Sequence, residues 1–417
     1  MIESEHALQQ LILLVGALIV LAVLVRSGLR RIGIPSLVGY LVIGFLLRLE
    51  DSHWHLLTGQ AQRVLEFLAN IGIISLLFRV GLESNLAGLL SQLRRAGIIW
   101  FGNVLLSGVL GYVTSYFLLG LTLIPSLFIA VALTATSAGI PVSVWQEAHA
   151  LNSANGELML DVAEMDDISA IALMALLFAV VPVLKGDTGA SVLTVLARAS
   201  WWLLLKMTAF VAFCLLFSRY AEHYITSLFK KIKPPPDPML MVAGIGFMIA
   251  ALAGLLGFSV AIGAFFAGLV FSRDPEAVKT EACFEVVYEL FTPFFFIGIG
   301  LHIDPNVLTS GVGLGAVLLV VAVFGKVIGA GVPTVITAGW VSSVLIGVSM
   351  SPRAEIAMFI MQQGHKLGEW AVPHQVFAAM VMVSAVTCII TPLILRSFLR
   401  RWPQTNTSRT KAFLYTL

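Results

Sequence analysis

Four acidic residues, Asp161, Glu164, Asp166 and Asp167, lie in the stretch 156 to 183, whose other residues are almost all apolar. A carboxylate near the centre of a bilayer costs about 3 kcal/mol on insertion scales, so several in one membrane helix imply a use. In a helix, Asp166 and Asp167 project about 100° apart, while Glu164 sits one turn below Asp167 on a similar face. One carboxylate can then pair with a base while its neighbour faces a cavity. Asp161, within the first turn or so, is expected at a wet helix end. Asp167 falls roughly 15 Å into the span at 1.5 Å per residue.

A base of matching depth is Lys326, embedded in AVLLVVAVFGKVIGAGVPTV. It is too far from either interface to snorkel easily, and its expected partner is Asp166 or Asp167. Burial and pairing act in opposite senses on such a couple, so it can switch protonation state when a cation arrives. Two further segments are interrupted inside apolar sequence. One holds Thr134, Thr136, Ser137, Gly139 and Pro141; the other holds Ser349, Ser351, Pro352 and Arg353. Pro and Gly there free backbone amides and carbonyls, which a bilayer tolerates only where protein or a water-filled cavity satisfies them.

Paired interruptions in two halves point to a transporter binding site. The free carboxylate, the hydroxyls of Thr136 and Ser137 and the freed carbonyls make a hard oxygen site suited to a small alkali cation; no His or Cys cluster offers soft ligands. A proton and a cation competing for the same oxygens, exposed alternately to either side, amount to antiport. Arg353 and Glu355 are expected to neutralise each other and the half-helix ends. Glu164 is read as a way-station for cations, a second proton site or a packing residue, and Arg79 as a snorkelling stem. His149 is expected to be solvated.

These residues need membrane helices to hold them. The 417 residues are 59% hydrophobic and 12% charged, with a mean hydropathy of +0.96, far outside soluble averages. The fold class is an all-α polytopic membrane protein. The net charge of +2 suggests no nucleic-acid partner. Cys214, Cys283 and Cys388 lack metal or disulfide spacing. The start MIESEHALQQ argues against a removed signal peptide.

Apolar runs give thirteen spans: 7 to 25, 33 to 48, 64 to 82, 97 to 119, 124 to 147, 156 to 183, 198 to 219, 239 to 256, 258 to 272, 283 to 301, 310 to 332, 340 to 364 and 372 to 396. Basic residues follow odd spans, as in Arg26, Arg30 and Arg31, Arg94 and Arg95, and Arg396, Arg400 and Arg401. That bias puts the N-terminus outside and the C-terminus in the cytoplasm. The linker KKIKPPPDP at 230 to 238 divides the halves. The interrupted spans, fifth and twelfth, run in opposite directions, as an inverted repeat requires, and all four polar segments place their atoms near mid-bilayer.

The motifs ALTATSAGIPV, EMDDISAIALMALL, GFSVAIGAFFAGLVFS, PFFFIGIGLHID, GKVIGAGV and GVSMSPRAEIAM, in this order, resemble the monovalent cation:proton antiporter family 2, which includes bacterial sodium/proton antiporters and Kef-type potassium efflux systems. The resemblance implies two broken, crossing helices and a homodimer in the bacterial inner membrane, whose core domains move like elevators. It divides the chain into dimerisation segments at 1–96 and 239–309, core repeats at 97–183 and 310–396, a linker at 184–238 and a tail at 397–417. It also implies that Asp167 binds the cation, that Asp166, paired with Lys326, belongs to the same cation- and proton-binding set, and that Thr136 and Ser137 are broken-helix ligands. Retention of both aspartates and the lysine implies electrogenic exchange of Na+ or Li+ for H+, with no cofactor. Asp166 stands where Kef-type proteins usually have Gln, which favours the sodium branch.

K+/H+ exchange of Kef-like type is the alternative, and sodium-coupled organic-anion symport a more distant one. An intramembrane aspartyl protease needs carboxylates on separate helices. The deep acids here are adjacent on one helix, and Asp304 lies at a span end, so no enzyme is expected.

Overall fold

In a computed structural model, the structure describes residues 2–54, 57–83, 86–185, 201, 205–206, 208–214, 216–221, 238–256, 259–271 and 277–404. The described residues are helical throughout, with no strand. Fourteen α-helices are described. They are α1 (Ile2–Arg31), α2 (Ser36–Trp54), α3 (Gly59–Glu83), α4 (Leu86–Val113), α5 (Leu123–Thr134), α6 (Gly139–Glu147) and α7 (Ala154–Lys185), followed by α8 (Pro238–Leu255), α9 (Val260–Phe271), α10 (Ala277–Leu301), α11 (Pro305–Ala338), α12 (Trp340–Ser349), α13 (Glu355–Leu367) and α14 (His374–Arg401). Six stretches, among them Leu123–Glu147, Gly311–Ala338 and His374–Arg401, are long and apolar enough to cross a membrane. The Pro-rich linker up to residue 237, Cys283's side chain and residues 198–200, 202–204, 207 and 215 of the seventh span lie outside the described residues.

The chain forms two compact units. The first comprises residues 1–25, 40–85 and 178–301. Here α3 packs against α9 and α10, and backbones meet at glycines. A Cβ on Gly81 would stand 2.1 Å from the Phe265 carbonyl, and one on Gly44 2.0 Å from that of Ile297. Such close approach suits membrane helices, which associate by van der Waals packing rather than by hydrophobic exclusion from water. Arg79, read as a snorkelling stem, rests its guanidinium 4.5 Å from the centre of the Tyr288 ring, a cation–π contact.

The second unit comprises 26–39, 86–177 and 302–417 and holds both interrupted segments. In it α11 packs against α4, α12 and α14, while α5 packs against α4 and α13. α5 ends at Thr134 because Ala135 turns extended, at φ −64° and ψ 145°. Pro141 falls in the first turn of α6, where a missing N–H costs nothing. Pro352 likewise keeps Ser351 from continuing α12, and α13 starts again at Glu355. The two interruptions cross, with the Ser137 amide donating to the Pro352 carbonyl at 3.0 Å. The sequence α4, broken α5 and α6, α7 is matched by α11, broken α12 and α13, α14.

Candidate functional site

Where the helices break, backbone carbonyls at the ends of α5 and α12 lose their helical donors. Each set is met by a buried cation. Lys326, on α11 and fully buried, donates from Nζ to the Thr134 carbonyl at 2.6 Å. Arg353, also fully buried, donates to the carbonyls of Met350 at 3.1 Å, Pro352 at 3.4 Å and Ala322 at 3.3 Å. The C-terminal end of a half-helix carries partial negative charge, so a cation there is favoured electrostatically as well as by hydrogen bonding.

Arg353 and Glu355, expected to neutralise each other and the half-helix ends, each lie at such an end. Arg353 bonds only to carbonyls, while Glu355 sits in the first turn of α13, where its charge opposes the positive end of that half-helix. α14 completes this side. The Ser384 hydroxyl donates to the Arg353 carbonyl at 2.6 Å, the Cys388 thiol to the same oxygen at 3.2 Å, and the Arg353 amide to Thr387 Oγ1 at 3.1 Å.

On the other side, α7 supplies carboxylates where α14 supplies hydroxyls. Asp166 is fully buried and gathers three donors on one oxygen. Its Oδ2 accepts from Lys326 Nζ at 2.7 Å, from Thr136 Oγ1 at 2.6 Å and from Asn103 Nδ2 at 2.6 Å. The other oxygen, Oδ1, is buried without a hydrogen-bond partner, as is Ser137 Oγ. Asn103, on α4, had no place in the sequence reading. It reaches Asp166 because α11 presents glycines to α4: a Cβ on Gly329 would stand 3.0 Å from the Asn103 Cα, and one on Gly325 3.2 Å from that of Ser107.

Asp167 is different. It is 8% exposed and makes no hydrogen bond or ion pair among the described residues. The charged groups acting on it are Glu355, Asp166 and Glu164, opposed by Lys326. Three acids against one base make its surroundings attractive to a cation. Thr136, read as a ligand beside the free carboxylate, points its hydroxyl at Asp166, because the extended backbone after Thr134 aims it there; the same oxygen lies 3.3 Å from the Met350 carbonyl. Glu164 and Asp161 follow on the same helix, both partly exposed. Asp304, at the junction of α10 and α11, and exposed His149, between α6 and α7, belong to other regions. Among the described residues no group of His, Cys, Asp and Glu could hold a metal ion by side chains alone.

Chemically, the arrangement holds one carboxylate in place with three donors and leaves its neighbour available. Comparison with known proteins identifies the family. A family profile described as sodium/hydrogen exchanger, transmembrane, matches residues 16–401. The chain is 28% identical over 369 residues to a protein named high-affinity Na+/H+ antiporter NhaS3 of Synechocystis, covering 87% of this chain and 77% of the other. It is also 28% identical over 383 residues to one named Na+/H+-K+ antiporter GerN of Bacillus cereus, covering 91% and 94%. A solved structure, the sodium proton antiporter MjNhaP1 from Methanocaldococcus jannaschii, superposes with a TM-score of 0.69 at 14% identity, covering 94% of this chain and 97% of that one. At that identity the likeness speaks for the fold.

Proposed function

The chain belongs to the transmembrane sodium/hydrogen exchanger family, and from that premise we propose that it exchanges Na+ or Li+ for H+ at Asp167. The observation that carries this is the unequal treatment of two adjacent acids: Asp166 Oδ2 accepts from Lys326, Thr136 and Asn103, while Asp167 has no hydrogen bond or ion pair among the described residues and keeps a small exposed area. A buried carboxylate without a donor needs a counter-charge. A proton or a bare alkali cation supplies one, and the same oxygens cannot take both.

Residue roles follow. Asp167 binds cation or proton, with the orphaned Ser137 hydroxyl in reach of the same break. Asp166 and Lys326 form the fixed pair, whose switching would make exchange electrogenic. Arg353 caps the α12 carbonyls, and Glu355 faces the α13 start. Glu164 and Asp161, partly exposed along α7, mark the path by which cations arrive. The protein is integral to a membrane. The inner bacterial membrane, an outside N-terminus, a homodimer in contact with lipid, and the division into core and dimerisation segments belong to the proposal.

A second reading, K+/H+ exchange, is favoured by one finding: GerN carries both ions in its name. Carbonyl and hydroxyl ligands suit either. Cation-driven proton flux in proteoliposomes, with Na+, Li+ or K+ added in turn, separates them. The expected result is a response to Na+ and Li+; a response to K+ alone overturns the sodium assignment, and no response to any of them overturns exchange.

A further inference from the structure

Asp166 uses its two oxygens unequally, and exchange at Asp167 does not by itself require that. A carboxylate has about four lone-pair sites spread over both oxygens. Here three donors crowd Oδ2 while Oδ1 is buried and bare, although a buried acceptor without a partner costs about 1–3 kcal/mol. Two of the donors have other work. Lys326 also caps Thr134, and Thr136 also reaches Met350. Asn103 has none: among the described residues its side chain bonds to Asp166 alone, and its own Oδ1 is buried without a partner there. Turning the amide over would set oxygen against oxygen, so the nitrogen is fixed as the donor. Side chain and backbone are fully buried in the α4 and α11 contact, where apolar residues would pack without leaving acceptors unmet.

We propose that Asn103 is a positioning residue for the exchange: its amide pins Oδ2 of Asp166 to the broken helix and Lys326, and so reserves Oδ1 as a second carboxylate oxygen for the alkali cation arriving at Asp167. The inference rests on the reading of Asp167 given above. A dehydrated Na+ or Li+ needs several oxygen ligands at short range, and a carboxylate turned partway about its Cβ–Cγ bond would swing one oxygen off Lys326 and the other away from the cation. Asn103 carries no proton under exchange conditions; it acts on the affinity and selection of the cation.

The test uses the full chain in proteoliposomes with Asn103→Leu, similar in size without the amide, and Asn103→Asp, the same shape with a donor only when a proton is shared with Asp166. The half-saturating concentrations of Na+ and Li+ and the maximal rate are measured across acidic to alkaline pH. Asn103→Leu is expected to raise the half-saturating Na+ concentration about tenfold and to change the Li+ to Na+ ratio, with the maximal rate kept within about twofold. Asn103→Asp is expected to make half-saturation depend more steeply on pH than in the native chain. Unchanged half-saturation, ion ratio and pH profile overturn the inference, as does a loss confined to maximal rate. If Asn103→Leu does not fold, a native pH profile in the isosteric Asn103→Asp overturns it. Asp167→Asn run in parallel separates the two levels: exchange retained there sinks the Asp167 reading itself, whereas a dead Asp167→Asn beside native-like Asn103 variants sinks only the positioning role.

Discussion

Replacing Lys326 by Met removes the ammonium that joins α11 to both α7 and the end of α5. Nζ makes two short bonds, 2.7 Å to Asp166 Oδ2 and 2.6 Å to the Thr134 carbonyl, and both members of the ion pair have no exposed side-chain area. Removing one partner of such a pair strands a buried charge and costs about 3–5 kcal/mol. The Thr134 carbonyl, left with no donor at the half-helix end, adds about 1 kcal/mol or more. Replacing both partners is a different case, since well-packed neutral groups can stand where a buried pair stood at little net cost. Lys326→Met is therefore expected to destabilise by about 4 kcal/mol, Asp166→Asn by a comparable amount, and the double variant by less than the sum, with a coupling of at least about 2 kcal/mol. Unfolding by SDS titration in mixed micelles reads all four proteins of the cycle. Additivity within about 0.5 kcal/mol would refute the pairing as the source of stability.

Other perturbations act elsewhere in the same unit. Arg353→Met removes the guanidinium bonds to the carbonyls of Met350, Pro352 and Ala322, and is expected to cost about 3 kcal/mol or more in the same titration, whereas Glu355→Gln, which leaves those three bonds in place, should cost less. Gly329→Val puts a branched side chain against the Asn103 backbone, where even a Cβ stands at 3.0 Å, and should separate α4 from α11; a melting temperature within about 2 °C of the native value would contradict that packing. Arg396→Ala breaks the 3.0 Å contact to Glu147, but Glu147 is 58% exposed, so the loss should stay at or below about 1 kcal/mol.

The spans and the breaks were legible because both are written in composition. Apolar runs of membrane length leave few alternatives, and Pro352 or Pro141 among them can only interrupt or start a helix. The acids of α7 and Lys326 stood out for the same reason, as costly residues in apolar surroundings. Which aspartate meets Lys326 was not legible from the spacing alone, because a 100° offset separates two faces without saying which faces α11. Asn103 was missed because a single amide in an apolar span carries no periodic signal; only the glycines at 325 and 329, read together with α4, could have placed it. For Arg353 the sequence pointed to Glu355 and to the half-helix ends alike; which carbonyls its guanidinium meets, among them that of Ala322 on α11, depends on packing that no local pattern encodes. The hydroxyls of Ser384 and Thr387 were invisible for a related reason: Ser and Thr in membrane helices usually bond their own backbone, and Thr387 does so with Val383 at 2.8 Å while also serving Arg353.

The account turns on a proton and a cation excluding one another at Asp167. Equilibrium binding of radiolabelled Na+ to the purified protein, measured over a range of pH, tests that directly. Competition for one carboxylate requires the half-saturating Na+ concentration to rise about tenfold per pH unit on the acid side at constant maximal binding, and saturable binding to vanish in Asp167→Asn. A maximal binding that falls with acid while half-saturation stays fixed, or saturable binding that survives Asp167→Asn, would contradict it.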